Sequence, residues 1–185
     1  YTSDNGPWNQ DKYTKNKKGH PEGSIFWGDA GRLRNGKGSP YEGGYRLPCI
    51  ARWPGKIPAG RKSDAIFATI DFMPTFASLC GFKVPDDRKI DGVDQTNLLL
   101  GKSEKSRETF YFDRAGIRKG KWKYLKADAH FYGYAREDDR PKEEELYNLK
   151  KDIGETKDLS SRDPQRVKSM RTKLHTWYKE VDAKF

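Results

Sequence analysis

The chain has 185 residues, 37 Lys and Arg against 27 Asp and Glu, a net charge of +10 and a pI near 9.5. Leu, Ile, Val and Phe supply only 32 residues, a share typical of disordered chains, yet aromatics reach 13%, which disordered chains lack. No apolar run approaches the ~18–20 residues of a bilayer-spanning helix, two cysteines cannot build a disulfide framework or a zinc site, and there is no Asn-x-Ser/Thr acceptor.

A folded chain whose core partner is partly absent reconciles the low aliphatic content with the aromatics. Uncovered apolar surface is then expected, and the isolated chain is expected to associate or to bind its missing part. The opening segment does not read as a leader peptide. Residues 7–24 are polar and basic, with Lys12, Lys15, Lys17 and Lys18 close together, and read as a solvated loop. Residues 28–46 are rich in Gly and charge and read as a second loop. Pro48 and Pro54 bracket a short strand at Cys49–Trp53. Asp71 is placed to cap a helix through Leu79, with Pro74 in its first turn and Gly81 as its stop. Residues 83–108 read as irregular.

From about residue 106 the pattern changes. Phe110–Phe112 and Lys121–Leu125 cluster aromatics as strands do, Ile117–Trp122 reads as a hairpin turning at Gly120, and Glu145–Leu149 is a further strand. Asp163 as N-cap and Pro164 at the first helical position open a helix over 164–183. Val167, Met170, Leu174, Trp177, Tyr178 and Val181 recur on one face of it and should lie on the sheet.

Two segments are candidates for chemistry. In Ser3-Asp4-Asn5-Gly6-Pro7, a carboxylate and an amide oxygen stand side by side, the ligand types of a hard cation such as Ca²⁺. The same residues are ordinary turn formers, and two ligands cannot fill a coordination shell alone. In the run 32–46, Lys37 stands between Gly36 and Gly38. Flanking glycines admit close approach of a ligand, and a Lys supplies a compact positive charge for a phosphoryl or sulfuryl oxygen. The Walker A spacing is absent, and a flexible basic loop is the simpler reading of this run by itself. His20-Pro21-Glu22 lacks the Pro-Cys-x-x-Cys partner of a zinc deaminase. No Ser occupies a strained Gly-x-Ser-x-Gly setting. His130 and His175 read as structural, with His175 exposed.

Taken together, these segments resemble the C-terminal part of the sulfatase family, the arylsulfatase-like branch of the alkaline phosphatase superfamily. The resemblance runs in order through 1–7 (YTSDNGP), 36–48 (GKGSPYEGGYRLP), 53–60 (WPGKIPAG), 69–81 (TIDFMPTFASLCG), 91–94 (DGVD), 98–101 (LLLG) and 145–160 (ELYNLKKDIGETKDLS). It implies an alkaline phosphatase-like α/β remnant over residues 1–105, followed by a subdomain over 106–185 in which a small antiparallel sheet packs with one C-terminal helix. It further implies that Asp4 and Asn5 are Ca²⁺ ligands, that Lys37 contacts and helps turn over a sulfate ester, and that Glu42 and Arg46 shape the loop. In the family a Cys in Cys-x-Pro-Ser/Thr-Arg becomes a formylglycine nucleophile. Neither Cys49 nor Cys80 lies in that motif, so the resemblance puts the nucleophile and the remaining metal carboxylates in an N-terminal portion outside this chain. The chain alone is then expected to be inactive, with that N-terminal portion and a sulfate ester, such as a sulfated glycan, as partners. A periplasmic or secreted location, no nucleic acid and no membrane span complete the expectation.

Two other readings compete. One is a basic module that docks polyanions, since net charge promotes such binding without specifying a fold. The other is a phosphodiesterase or phosphonate hydrolase of the same superfamily. If the sulfatase reading holds, the Asp4–Asn5 segment and the Gly36–Gly38 loop must face each other, because metal and Lys share one anion.

Overall fold

The computed structural model describes residues 1–8, 28–129 and 140–181. The Lys12–Lys18 run, His20-Pro21-Glu22 and His130 lie outside the described residues. The chain divides into two compact units, Tyr1–Thr2 with Pro48–Phe110, and Ser3–Leu47 with Tyr111–Phe185. The chain changes unit after Thr2, after Leu47 and after Phe110, so Ser3–Leu47 group with Tyr111–Phe185.

In the first unit, the stretch expected as a strand at Cys49–Trp53 makes one isolated antiparallel bridge, Thr2 with Cys49. The Tyr1 and Ile50 backbones exchange hydrogen bonds beside it, at 2.7 and 2.8 Å. Residues 48–56 are exposed throughout, so nothing there rewards a longer ladder. A short helix, α1 (Glu42–Tyr45), belongs to the other unit. Here a 3₁₀ turn at Thr69–Asp71 leads into α2 (Phe72–Leu79), with Pro74 in its first turn, and Gly81 at φ +75° ends it. α3 (Thr96–Leu99) follows within residues that the sequence reads as irregular.

Asp71 departs from its expected capping role. Its backbone is already helical, and its carboxylate makes no cap bond to α2. It is fully buried and accepts instead from the Ala68 and Val93 N–H groups at 2.9 and 2.8 Å. Arg107 completes the set with a two-pronged contact, Nε to Oδ2 at 3.0 Å and Nη2 to Oδ1 at 2.5 Å. One carboxylate thus ties together residues 68, 93 and 107. The outer side of the same region exposes Met73, Phe76 and Phe82, the last at 72%.

The second unit is organised by a four-stranded sheet of order β1-β2-β3-β4, formed by β1 (Thr109–Phe112), β2 (Gly116–Lys119), β3 (Trp122–Leu125) and β4 (Glu145–Asn148). β2–β3 and β3–β4 are antiparallel. Lys119 pairs with Trp122, leaving Gly120 and Lys121 as a two-residue turn. Gly120 takes φ +55°, a region glycine enters without steric cost. α4 (Pro164–Glu180) starts at Asp163, whose side chain accepts from the Arg166 N–H at 3.0 Å. Val167, Met170, Leu174 and Tyr178 bury its apolar face against Ile117, Tyr124 and Leu146. Trp177 packs at the margin and stacks on Tyr111 at 4.4 Å, whereas Val181 lies past the helix end and is exposed. The opposite face of the sheet is also covered, with Tyr41, Leu125, Tyr147 and Leu149 forming a second buried cluster. That second layer brings loop residues onto the sheet.

Burial alone would raise the Asp71 pKa, but the Arg107 and backbone hydrogen bonds outweigh it and hold the group below the ordinary carboxylate value. A carboxylate with a lowered folded pKa stabilises the fold above its unfolded pKa of about 3.9 and loses that contribution as the pH falls through the folded value. Arg107→Met leaves Asp71 buried without its counter-charge and should cost about 3–5 kcal/mol at neutral pH by urea denaturation. A loss below about 1 kcal/mol, the range of an exposed pair, would contradict the role given to this contact.

Candidate active site

Asp4 and Asn5 occupy a turn whose local order comes from Ser3. The Ser3 hydroxyl donates to the Asn5 carbonyl at 3.0 Å, a short side-chain-to-backbone link of the kind that holds such turns. Asp4 is exposed and Asn5 half-buried, while Gly6 is buried. Immediately beyond, the Gly6 N–H donates to the Gly44 carbonyl at 2.9 Å, and the Pro7 carbonyl accepts from the Lys37 N–H at 2.8 Å. The segment carrying Asp4 and Asn5 and the loop carrying Lys37 are therefore in direct backbone contact.

Lys37 is the second residue of a tight turn. The Ser39 N–H donates to the Gly36 carbonyl at 3.1 Å, and Gly38 takes φ +88°. A positive φ at the third position is what a type II turn demands, and it reserves that place for glycine. The Lys37 ammonium lies 5.3 Å from the centroid of the Trp8 ring, within cation–π range. α1 follows the turn closely. A Cβ on Gly43 would stand 2.1 Å from the Asn35 carbonyl oxygen, one on Gly44 2.2 Å from that of Ser39, and one on Gly6 1.8 Å from that of Gly43. Three strips of backbone thus touch without intervening side chains, and only glycine permits it.

Below α1 lies a buried ionic cluster. The Lys123 ammonium, fully buried, is 3.0 Å from Glu42 Oε1 and 2.9 Å from Glu155 Oε1. The Glu155 carboxylate also accepts from the Glu42 N–H at 2.7 Å, at the start of α1. Arg118 stands 3.6 Å from Glu42 Oε2, and the Phe112 ring lies 4.4 Å from the ammonium. Burial pushes the Glu155 carboxyl up, and the neighbouring Glu42 charge adds to this against the pull of Lys123. Burial acts the same way on Glu42, but Lys123, Arg118 and Arg46 together hold its pKa down. Glu155 is presented by a turn that Asp152 organises, its carboxylate accepting from the Thr156 and Lys157 N–H groups, both at 2.8 Å. Arg34 braces the loop from the other side, 3.7 Å over the Tyr41 ring and bonded to the Tyr147 hydroxyl at 2.9 Å.

The donor set at the tip suits a hard cation in kind, one carboxylate and one amide oxygen, with Asp4 open to solvent. Among the described residues no group of three or more His, Cys, Asp or Glu side chains stands ready to hold a metal. Asp4 and Asn5 therefore fit as part of a Ca²⁺ shell that other ligands would complete.

Residues 36–184 match the family described as N-sulphoglucosamine sulphohydrolase, C-terminal. The chain belongs to the sulfatase family, in its C-terminal portion. It is 33% identical to an N-acetylgalactosamine-6-O-sulfatase of Bacteroides thetaiotaomicron over 92% of this chain and 34% of that protein. It is 41% identical to human steryl-sulfatase over 60% of this chain and 18% of that protein. The chain thus spans about a third or less of the length of these curated relatives. Among solved structures, it superposes with a TM-score of 0.68 and 30% identity on a Bacteroides thetaiotaomicron protein described under the metabolism of multiple glycosaminoglycans, over 80% of this chain and 32% of that one. The PsFucS1 sulfatase from Pseudoalteromonas shares the fold, with a TM-score of 0.73 over 98% of this chain and 36% of that chain, at 23% identity. The fold is accordingly the C-terminal part of an alkaline phosphatase-like sulfatase, ending in the small antiparallel sheet and α4.

Two members of this sulfatase loop's support escaped the sequence reading. Lys123 sits between Trp122 and Tyr124 in a strand, where alternation assigns a charge to the solvent side. Glu155 lies in a polar stretch of Lys, Asp and Thr that reads as surface. The one available signal was that Glu155 falls inside the family-like segment 145–160. Gly6→Ala tests the backbone contact directly. Its Cβ must displace Gly43, so a stability loss of at least about 1–3 kcal/mol, typical of overpacking, is expected in urea denaturation. Faster amide exchange at Lys37 should accompany it, and an unchanged Lys37 amide would contradict the contact.

Proposed function

We propose that the complete protein is a sulfuric ester hydrolase and that this chain supplies part of its cation site and its sulfate-contacting lysine. The observation that carries this reading is the Lys37 N–H to Pro7 carbonyl bond at 2.8 Å, which holds the Lys37 turn against the Asp4–Asn5 segment in a chain of sulfatase ancestry. A sulfate ester offers three terminal oxygens and one bridging oxygen. The Lys37 ammonium is a compact donor that can bond a terminal oxygen and stand near the bridging oxygen as the alcohol departs. The Trp8 ring, 5.3 Å from the ammonium, gives the side chain a cation–π partner that helps orient it. Asp4 and Asn5 would hold Ca²⁺ by their side-chain oxygens. When present, Ca²⁺ would supply positive charge to the sulfuryl oxygens and a formylglycine, outside this chain, the nucleophile.

The substrate we favour is a sulfated glycan. Support comes from the relative named N-acetylgalactosamine-6-O-sulfatase and the structural relative tied to glycosaminoglycans. The exposed Met73, Phe76 and Phe82 side chains fit a chain that packs against a further portion of the same protein.

The test is steady-state hydrolysis of 4-methylumbelliferyl sulfate and of a 6-O-sulfated N-acetylgalactosamine by the full-length protein. Lys37→Ala should keep cation binding and lose about 10²-fold in kcat, as removal of a charge-stabilising donor does. Lys37→Arg should recover only part of that rate, because a planar fork replaces a compact ammonium within a glycine-tight turn. Asp4→Ala should lose Ca²⁺ affinity and activity together. Full activity in Lys37→Ala would sink the assignment.

A further inference from the structure

We infer that Glu42, Lys123 and Glu155 are positioning residues of this site: their buried ion cluster sets where the Lys37 turn and the Asp4–Asn5 segment stand relative to each other. The inference rests on the functional reading of Lys37 given above, and it assigns a role to side chains that touch neither substrate nor cation.

A connected path joins the cluster to both candidate elements. The Glu155 carboxylate accepts the Glu42 N–H at 2.7 Å, and Lys123 bridges the two carboxylates, so the start of α1 is pinned to β3 and to the 152–157 turn. From α1, the Gly43 N–H donates to the Arg34 carbonyl at 2.9 Å, just ahead of the Lys37 turn. The Gly44 carbonyl accepts from Gly6 at 2.9 Å, one residue after Asn5. Pro7 and Lys37 then close the circuit at 2.8 Å. Because Gly6, Gly43 and Gly44 meet their neighbours backbone to backbone, no side chain is available to absorb a shift of α1. A displacement at the cluster passes directly to both elements.

Two features argue that this cluster serves position rather than stability. Buried ion pairs are commonly no better for stability than apolar side chains of the same volume, and here two carboxylates share one fully buried ammonium. Glu155 also adopts φ +52°, a left-handed conformation that a non-glycine residue holds at a steric cost. The turn is held there with its carboxylate directed at the first N–H of α1.

The test compares a variant that removes these three charges and leaves Arg118 in place, Glu42→Gln with Lys123→Met and Glu155→Gln (the charge-free variant), with the single variants Glu155→Gln, Glu155→Ala and Lys37→Ala. Amide exchange in the chain and turnover of 4-methylumbelliferyl sulfate by the full-length protein are read together. The charge-free variant should keep the exchange protection of α4 while Gly6, Gly43 and Lys37 lose about tenfold or more. Its kcat should fall about tenfold or more with KM changed far less, as misplaced catalytic groups act. Glu155→Gln, whose amide oxygen can still accept the Glu42 N–H, should retain more rate than Glu155→Ala. Unchanged protection at Gly6 and Lys37, or a loss shared equally by α4, overturns the inference. If the charge-free variant does not fold, the two Glu155 substitutions decide, and equal rates overturn it. Lys37→Ala at full rate would remove the functional reading alone, with exchange still deciding whether the cluster positions the loop.

Discussion

One ammonium group, that of Lys123, sits out of water between two carboxylates, and the second unit is arranged around it. Desolvating a charge in a protein interior costs several kcal/mol per ion even after relaxation, an outlay offset only by close, well-directed partners. Glu42 and Glu155 supply them, with Arg118 adding a second positive charge beside Glu42 and the Phe112 face closing the site. The three charges come from different parts of the chain: Glu42 from α1, Lys123 from β3 and Glu155 from the turn after β4. An apolar contact of the same area would tolerate sliding, whereas an ion cluster is sensitive to tenths of an ångström. The constraint therefore appears as geometry in the loop that Glu42 begins.

The sheet makes such a cluster possible because it is covered on both faces. α4 seals one side with Val167, Met170, Leu174 and Tyr178. Tyr41, Leu125, Tyr147 and Leu149 seal the other. Lys123 shares the register position opposite Tyr147, so it falls on the loop-covered side, where an ammonium finds carboxylates instead of solvent. The first unit uses the same device more simply. Asp71, pinned by Arg107 and two backbone donors, joins distant stretches of a region that has little regular structure of its own. In both units the low aliphatic content is met by buried, ion-paired charges and by aromatics.

Local rules made α4 and the β2–β3 hairpin legible in the sequence. The Asp163-Pro164 start, a 3.6-residue apolar period and a glycine between two strand-like runs each act within a few residues. The strand expected at Cys49–Trp53 reduced to one bridge because strand formation needs a partner, and a partner is not a local property. Asp71 was legible as important but not in its role. A carboxylate before a helix reads as a cap, and only the fold brings Arg107 to it from 36 positions away. Lys123 and Glu155 were hidden for the same reason. Asp4, Asn5 and Lys37 stood out in the sequence as candidates, and their segments pointed to one family only when read together. The glycines that bring those segments together carry no side chain by which a sequence could declare a contact.

The most direct test of the central claim is a crystal structure of the full-length protein with Ca²⁺ and a bound sulfate ester or sulfate. The account predicts an anion oxygen about 2.8 Å from Lys37 Nζ, a cation about 2.4 Å from side-chain oxygens of Asp4 and Asn5, and both on the same sulfate group. An anion bound away from Lys37, or a cation bound with neither Asp4 nor Asn5, would contradict it.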